Sequence, residues 1–437
     1  MNAPASLRAD ARVLSVRRSA DHAPHAGLET IATGADLGVD GGGTVTLRLA
    51  GPADRGARAR ALAASNLTDA LAELGDADVI ADLLILDPDA DLVAACLNGL
   101  CATRPGPAAV AIARADGAPD GRWDRPLFDW GYVRLKPGAA ASIGEPADDY
   151  VRSDLLTDLS LLREPSDNAV SMQTLGQNGR FANQLWQYAF LWFYSLRNNC
   201  RIQTPRWVGW TLYGIKSDTP DPSFTRQAFT VFTGVERHLW TMADPPVNLD
   251  FFGYFQEIPE SWRRHRQLLR RLFTPKSAFV DLIERWFTRT VPPDATLVGI
   301  HVRRGDYGYF DHNAVPWFRP IPIEWYDAML DELWPTLERP MLFIATDDAA
   351  AVGPHFARYQ PILAPSNEIA IPEFGFMPDF CGLQRCNVLA ASNSSFSRMA
   401  AMLADDRQIA YLPNIKAQRF ERYEAWLDED FWARFEA

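Results

Sequence analysis

Two arginines, Arg303 and Arg304, directly follow a short apolar run, Leu297 to Val302, and are followed in turn by Gly305 and Asp306. An arginine offers a planar fork of donors with fixed charge, which matches the oxygens of a phosphate or a diphosphate. Hydrogen bonds to such charged groups are worth ~1.5–3 kcal/mol each. His301 and Tyr307 bracket the group, and Gly305 allows a sharp turn after it. The competing reading is an ordinary Arg–Asp ion pair in a loop.

Three further clusters carry polar groups that fit the same chemistry. Ser392, Asn393 and Ser394 are good N-cap residues before an apolar helix that also contains Ser395 and Ser397. A helix start presents free N–H groups and partial positive charge, which suits an anion as well as plain capping. Gly179-Arg-Phe-Ala-Asn-Gln184 places a glycine loop and Asn183 at the opening of another helix. Phe343-Ile-Ala-Thr-Asp-Asp348 ends a strand in two acids, Asp347 and Asp348, which could meet base or ribose hydroxyls, a metal, or a helix N-terminus. An adjacent carboxylate pair is a poor cage for Mg²⁺ unless substrate phosphates stand beside it.

These clusters need elements to position them. Leu297–Val302 and Met341–Ala345 read as buried strands, and Asn183–Asn198, Ile323–Trp334 and Ser395–Leu403 as helices. Alternating helices and strands with polar residues at strand ends predict an open parallel sheet that binds ligand at its carboxyl edge. The first ~165 of the 437 residues differ in texture, being rich in Ala, Gly and Asp and poor in aromatics. There Val79–Leu86 and Ala108–Arg114 read as strands and Ala90–Thr103 as a helix, a small α/β unit. Gly41-Gly-Gly43 precedes the alternating run Thr44–Leu49, so it predicts a hairpin turn and not a dinucleotide loop, which would open a helix. Asp87, Asp89 and Asp91 lie where a strand passes into that helix and read as capping.

Bulk properties exclude several classes. With 47% hydrophobic and 22% charged residues the chain is globular. A net charge of −12 argues against a general nucleic-acid binder, because phosphate neutralisation needs a basic surface. No run of 18 or more apolar residues predicts a membrane span, and the N-terminal stretch lacks the apolar segment of a secretory signal. Cysteines 96, 101, 200, 381 and 386 include two C-x4-C pairs without companion ligands, so they read as buried thiols of a reducing, cytoplasmic setting. A peripheral place on the inner face of a membrane is compatible with that setting.

Taken in order, the clusters resemble the α-1,2-fucosyltransferases of glycosyltransferase family 11. That family shows a glycine-rich loop into NQ-[LM]-[FW]-QYA, then GYFQ, HxRRGDY, a strand ending in SDD, and a segment like NSTFSWWAA. Here stand Ala182–Phe190, Gly253-Tyr-Phe-Gln256, His301–Tyr307, Thr346-Asp-Asp348 and Asn393–Ser397, over about residues 170–405. Ala182 replaces the usual Gly, Thr346 replaces Ser, and Arg398-Met399 replaces the Trp pair. That arginine is a candidate for an added phosphate contact or an altered acceptor side. The Gly179-Arg-Phe form also resembles the protein O-fucosyltransferases.

The resemblance implies a GT-B-like α/β fold, two Rossmann-type halves facing a cleft. Residues 166–292 would form the acceptor half and 293–437 the GDP-fucose half, with residues 1–165 an additional α/β region of unassigned role. It implies inverting transfer of fucose from GDP-fucose to a galactose-containing glycan, a cell-surface polysaccharide precursor among the options, with no cofactor and no metal. The alternatives are a protein O-fucosyltransferase-like or other GDP-sugar transferase, and a non-catalytic GDP-sugar or glycan binder. Arg303 is the expected diphosphate ligand, with Arg304 partly structural. His301 would orient Arg303 or touch nucleotide, and Asp347 or Asp348 would read guanine or ribose. Asn183 would approach the diphosphate from the opposite half, and Asn393, Ser394, Ser395 and Ser397 would supply the helix start. Asp306 is the first candidate base, equally able to pair with Arg304, with Asp311 and Glu257 behind it.

Overall fold

The computed structural model describes residues 123–136, 147–229, 235–242, 244–312, 315–363, 373–427, 431 and 434–435, and before these only short strands. The chain forms two compact units: Met1–Asn168 with Tyr194–Arg201, and Ala169–Phe193 with Ile202–Ala437.

The first unit holds a mixed sheet in the order β4-β3-β2-β1-β5-β6-β8-β7. Its strands are β1 (Val13–Val16), β2 (Thr30–Val39), β3 (Val45–Arg48), β4 (Ala61–Ala64), β5 (Leu83–Leu86), β6 (Ala109–Ala113), β7 (Tyr132–Arg134) and β8 (Ala147–Arg152). The expected strands at 79–86 and 108–114 are β5 and β6, paired in parallel. β2 and β3 pair antiparallel up to Val39 opposite Val45, as a hairpin across Gly41–Gly43 requires. The glycines themselves, the helix expected at Ala90–Thr103, the acids at 87–91, and Cys96 and Cys101 lie outside the described residues. Buried Arg134 meets Asp124 and Asp148, and Tyr150 donates to Asp124 at 2.9 Å. Buried charge is thus paired charge.

The second unit contains two sheets. The smaller, in the order β10-β9-β12-β11, comprises β9 (Ala169–Ser171), β10 (Arg201–Gln203), β11 (Arg226–Ala228) and β12 (Leu249–Phe252). Helix α1 (Phe181–Asn198) starts two residues before the expected Asn183. Its Leu185, Trp186, Ala189, Phe190 and Phe193 are buried, the i, i+4 stripe of a helix facing a core. Phe190 stacks on Phe255 at 3.9 Å between centroids, and Phe193 meets Trp262 edge-on. Phe255 takes a left-handed backbone, φ +51°, a conformation an aromatic residue tolerates only where packing holds it.

The larger sheet has the order β15-β14-β13-β16-β17-β18. Here β13 (Thr296–Val302), β14 (Pro340–Thr346), β15 (Ile362–Leu363), β16 (Val388–Ala390) and β17 (Ile409–Asn414) are parallel, and β18 (Arg419–Tyr423) is an antiparallel edge. The helices that matter to the site are α2 (Ile323–Leu333), α3 (Ala349–His355), α4 (Met377–Arg385) and α5 (Ser395–Leu403). After β13 the chain steps outward through β14 to β15, then returns to the other side of β13 as β16. The strand order therefore reverses between β13 and β16, and in an open α/β sheet such a reversal leaves a crevice at the carboxyl ends.

Close packing holds α4 to this sheet. A Cβ at Gly382 would overlap the Phe343 ring, and one at Gly299 would overlap the Cys386 thiol. Cys381 and Cys386 are buried and free, and burial pushes both thiols up. For Gly382→Ala two effects compete. Helix propensity favours the alanine by ~1 kcal/mol, whereas overpacking against a core ring costs ~1–3 kcal/mol. We expect a net loss of stability, read as a lowered urea midpoint; a raised midpoint would show that α4 is not held by this contact.

Candidate functional site

At the crevice the second unit encloses a cavity of about 800 Å³. Three strand ends of the larger sheet supply one wall. β13 brings His301 and Arg303, β14 brings Thr346 and Asp347, and β16 leads to Asn393, Ser394 and Ser395. Across from them stand Gly179–Asn183, Tyr254 and Gln256 from the smaller sheet's side of the unit.

Arg303 lies at the centre of the charged wall. Its guanidinium bonds Asp347 through Nη1 and Asp306 through Nη2, and it lies 5.3 Å above the Tyr307 ring. Asp347 also accepts the Arg304 backbone N–H at 2.8 Å. Gly305 is what permits this closeness: its φ is +26°, and a Cβ there would overlap the Asp347 carboxylate. Arg180, with a side chain 73% exposed, meets the second oxygen of Asp306 at 3.2 Å. Charges thus alternate Arg180, Asp306, Arg303, Asp347. Arg303 is thus ion-paired, as the competing reading had it, and also lines the cavity.

Several expected residues are placed elsewhere. Asp306 pairs with Arg303 and Arg180, not with Arg304. Arg304 donates to the carbonyls of Arg303 and Ile321, at 3.2 and 2.9 Å, and is absent from the cavity wall. Asp348 caps α3 by accepting Ala351 N–H at 3.2 Å, and Ser397 is buried with its Oγ accepting Ser392 N–H at 3.1 Å. Neither lines the cavity, and nor do Asp311 and Glu257. Arg398 does not reach it either. Its fully buried guanidinium lies over Trp186 at 5.0 Å and Phe431 at 3.5 Å and donates to Gln256 O. It occupies the place of an aromatic partner by cation–π packing.

The rest of the wall is tied down by polar contacts. Asn183 Oδ1 accepts from Gln256 Nε2 at 2.9 Å. Asn393 donates to the carbonyls of Trp317 and Arg319, at 2.7 and 2.8 Å. Ser394 is the N-cap of α5, accepting Phe396 N–H. His301 is buried, shares a 2.9 Å hydrogen bond with Ser392 Oγ, and takes the Tyr326 hydroxyl on its carbonyl. Burial, and then the charge of Arg303, lower its pKa to about 3, so at neutral pH it is a neutral imidazole.

Among the cavity residues missed from sequence, besides the aromatic Phe310, Trp317, Phe318, Phe376 and Phe396, is one titratable group: Asp379, in the first turn of α4. It follows Phe374, Phe376, Met377 and Pro378, a run that reads as plain core. Its one cue is a carboxylate inside that apolar run. Desolvation raises its pKa to about 7. Among the described residues no group of three or more His, Cys, Asp or Glu is placed to hold a metal ion, and no helix is long and apolar enough to cross a membrane.

No protein-family model matches the chain, and no curated protein matches it. Solved structures do resemble it. NodZ α-1,6-fucosyltransferase soaked with GDP-fucose is 15% identical, over 59% of this chain and 99% of that one, with a TM-score of 0.41. An Arabidopsis thaliana FUT1 mutant in complex with GDP is 12% identical, over 60% and 74%, at 0.42. POFUT1 in complex with GDP-fucose is 9% identical, over 57% and 99%, at 0.35. These are likenesses of chain course between distant sequences.

Asp379 gives a pH signature. Because its folded pKa is raised from 3.8 to about 7, the folded chain binds more protons than the unfolded one across that window, and stability from this group falls as pH rises through it. Asp379→Asn removes the cost of a desolvated charge. The variant should be more stable than wild type by about 1–3 kcal/mol at pH 8, with the gap closing towards pH 4. Urea unfolding at the two pH values reads this; a gap that does not change with pH would contradict it.

Proposed function

We propose that this chain transfers L-fucose from GDP-fucose to a hydroxyl of a galactose-containing glycan, with inversion and an α-1,2 linkage, using its own cations in place of a metal. The observation that carries the reading is the position of Arg303. Its guanidinium lies at the strand-order reversal of a parallel sheet, on a cavity wall, beside a helix start. As the fucose–oxygen bond breaks, the GDP leaving group gains negative charge. Preorganised cations and N–H dipoles lower that barrier most when they are fixed before the reaction. Arg303 is fixed by Asp306 and Asp347, and the positive end of α5 lies at Ser394 and Ser395.

The two carboxylates have a second consequence. A diphosphate arriving at Arg303 competes with Asp306 and Asp347 for one fork of donors. Arg303 turning to phosphate releases an oxygen of Asp306, which is then available to take the acceptor proton. Neutral His301 is suited to hydrogen bonding and not to supplying charge. Asp379, against the aromatic part of the wall, offers a carboxyl to a ligand edge with adjacent N–H donors, which guanine has and adenine lacks.

A second reading, transfer to a peptide hydroxyl, draws on Gly179, Arg180 and Phe181, all of which line the cavity. Assay of GDP-fucose against galactosides and against folded peptide domains separates the two.

Arg303→Ala should cut transfer by a factor of 100 or more, corresponding to about 2.7 kcal/mol or more of lost transition-state stabilisation, without unfolding the chain. Arg303→Lys should fail nearly as badly, because a point charge does not replace a fork. Near-wild-type turnover in either variant would refute the assignment. Activity should persist in excess EDTA; its loss, restored by a divalent cation, would overturn the metal-independent reading.

A further inference from the structure

The cavity carries two separate aromatic groups, and they differ in exposure. The inner one comprises Phe181, Phe376 and Phe396, backed by Phe380: Phe181 stands 4.3 Å from Phe376 and edge-on to Phe380 at 5.0 Å. Phe181 and Phe380 are buried, and Asp379 lies in the same helical turn as Phe380. The outer one follows the Arg303–Asp306 turn directly. Phe310 stacks on Phe318 at 4.2 Å with an interplanar angle of 16°, and Phe318 is braced edge-on by buried Tyr307. Trp317 lies beside them, its backbone carbonyl held by Asn393. Phe310, Trp317 and Phe318 line the cavity. Next to them Tyr309 is 91% exposed and Phe310 38% exposed, two of the five large hydrophobic side chains exposed among the described residues.

We infer that Phe310, Trp317 and Phe318, with exposed Tyr309 next to Phe310 in the chain, form the acceptor platform, on which a neutral pyranose ring lies by its C–H face. This rests on the fucosyltransferase reading above. A single exposed aromatic ring needs no explanation, but here Phe310 and Phe318 are stacked, Phe318 is braced by Tyr307, and both line the cavity. The π face carries partial negative charge and attracts the weakly positive C–H face of a sugar. The rings themselves carry no charge, so the ligand surface that lies on them is an uncharged C–H face. The inner group, with Phe181 and Phe380 buried and a carboxyl beside it, suits the part of a donor that stays bound through the reaction. The outer group faces solvent, where a second substrate must enter and its product leave each cycle. It also begins within three residues of Asp306, so a sugar lying on it would bring a hydroxyl towards that carboxylate. This places acceptor contacts on the half that holds Arg303, in addition to whatever the smaller sheet's side contributes.

The test uses the full chain, GDP-fucose, and lactose and N-acetyllactosamine as acceptor probes. Tyr309→Ala and Phe310→Leu should each raise acceptor KM about three- to tenfold, the size of a lost ring contact, with kcat and the Kd for GDP little changed. Ile409→Ala, an exposed apolar residue on β17, should change none of these. Loss of GDP affinity in the platform variants would assign the rings to the nucleotide and overturn the inference, as would unchanged acceptor KM. Absence of any glycan binding by GDP-loaded wild type, read by saturation-transfer NMR, would also overturn it. In each of these cases GDP-fucose binding and its dependence on Arg303 report separately on the donor reading.

Discussion

The reversal of strand order beside β13 is the constraint on which the site depends. Parallel strands deliver every chain exit to the same edge of the sheet. Neighbours laid down to both sides of β13 force the connecting segments apart at that edge. The opening cannot be closed by backbone, so it is lined by whatever follows β13, β14 and β16. Those segments supply Arg303, Asp347 and Asn393, three residues far apart in sequence and adjacent only because their strands are.

A cationic group in such an opening needs support, and the support here is reversible. Asp306 and Asp347 satisfy the guanidinium of Arg303 while leaving it on the cavity wall, with 16% of its side chain exposed. Burying it fully would have cost more than the pairing returns. Leaving it free in solvent would have given up its direction. Arg398 shows the other outcome. It carries the same charge, but it is buried between rings, where it packs by cation–π contact and donates to the Gln256 carbonyl. Charge type does not distinguish these two arginines; the surroundings do.

The comparison with the solved fucosyltransferases concerns chain course, and the chemistry stands on the residues of the cavity. They divide by physical role. Arg303 with the α5 helix start answers a developing anion. Asp379 sits in an aromatic wall that disfavours its charge. Tyr309 and Phe310 leave apolar area in water. The last two carry a free-energy cost in the unliganded chain, and such costs concentrate at sites where a ligand relieves them.

Much of this was legible in the residues themselves. The apolar run before Arg303, the strand into Asp347 and the capped start of α5 are local patterns, set by side-chain period and by N-cap chemistry. They placed β13, β14 and α5 within a residue or two, and of the residues singled out from sequence Asn183, His301, Arg303, Asp306, Asp347, Asn393, Ser394 and Ser395 line one cavity. Tertiary structure decided how neighbours in sequence divide their work. Arg304 turns to carbonyls while Arg303 faces the cavity, and Asp348 caps a helix while Asp347 holds Arg303. Adjacent residues at a strand end point to opposite sides, and which side is the crevice depends on the order of strands far away in sequence. Asp379 was hidden for the same reason. An acid in an apolar run says nothing of its neighbours until the helix carrying it is packed against the sheet, and only then does desolvation give it a role.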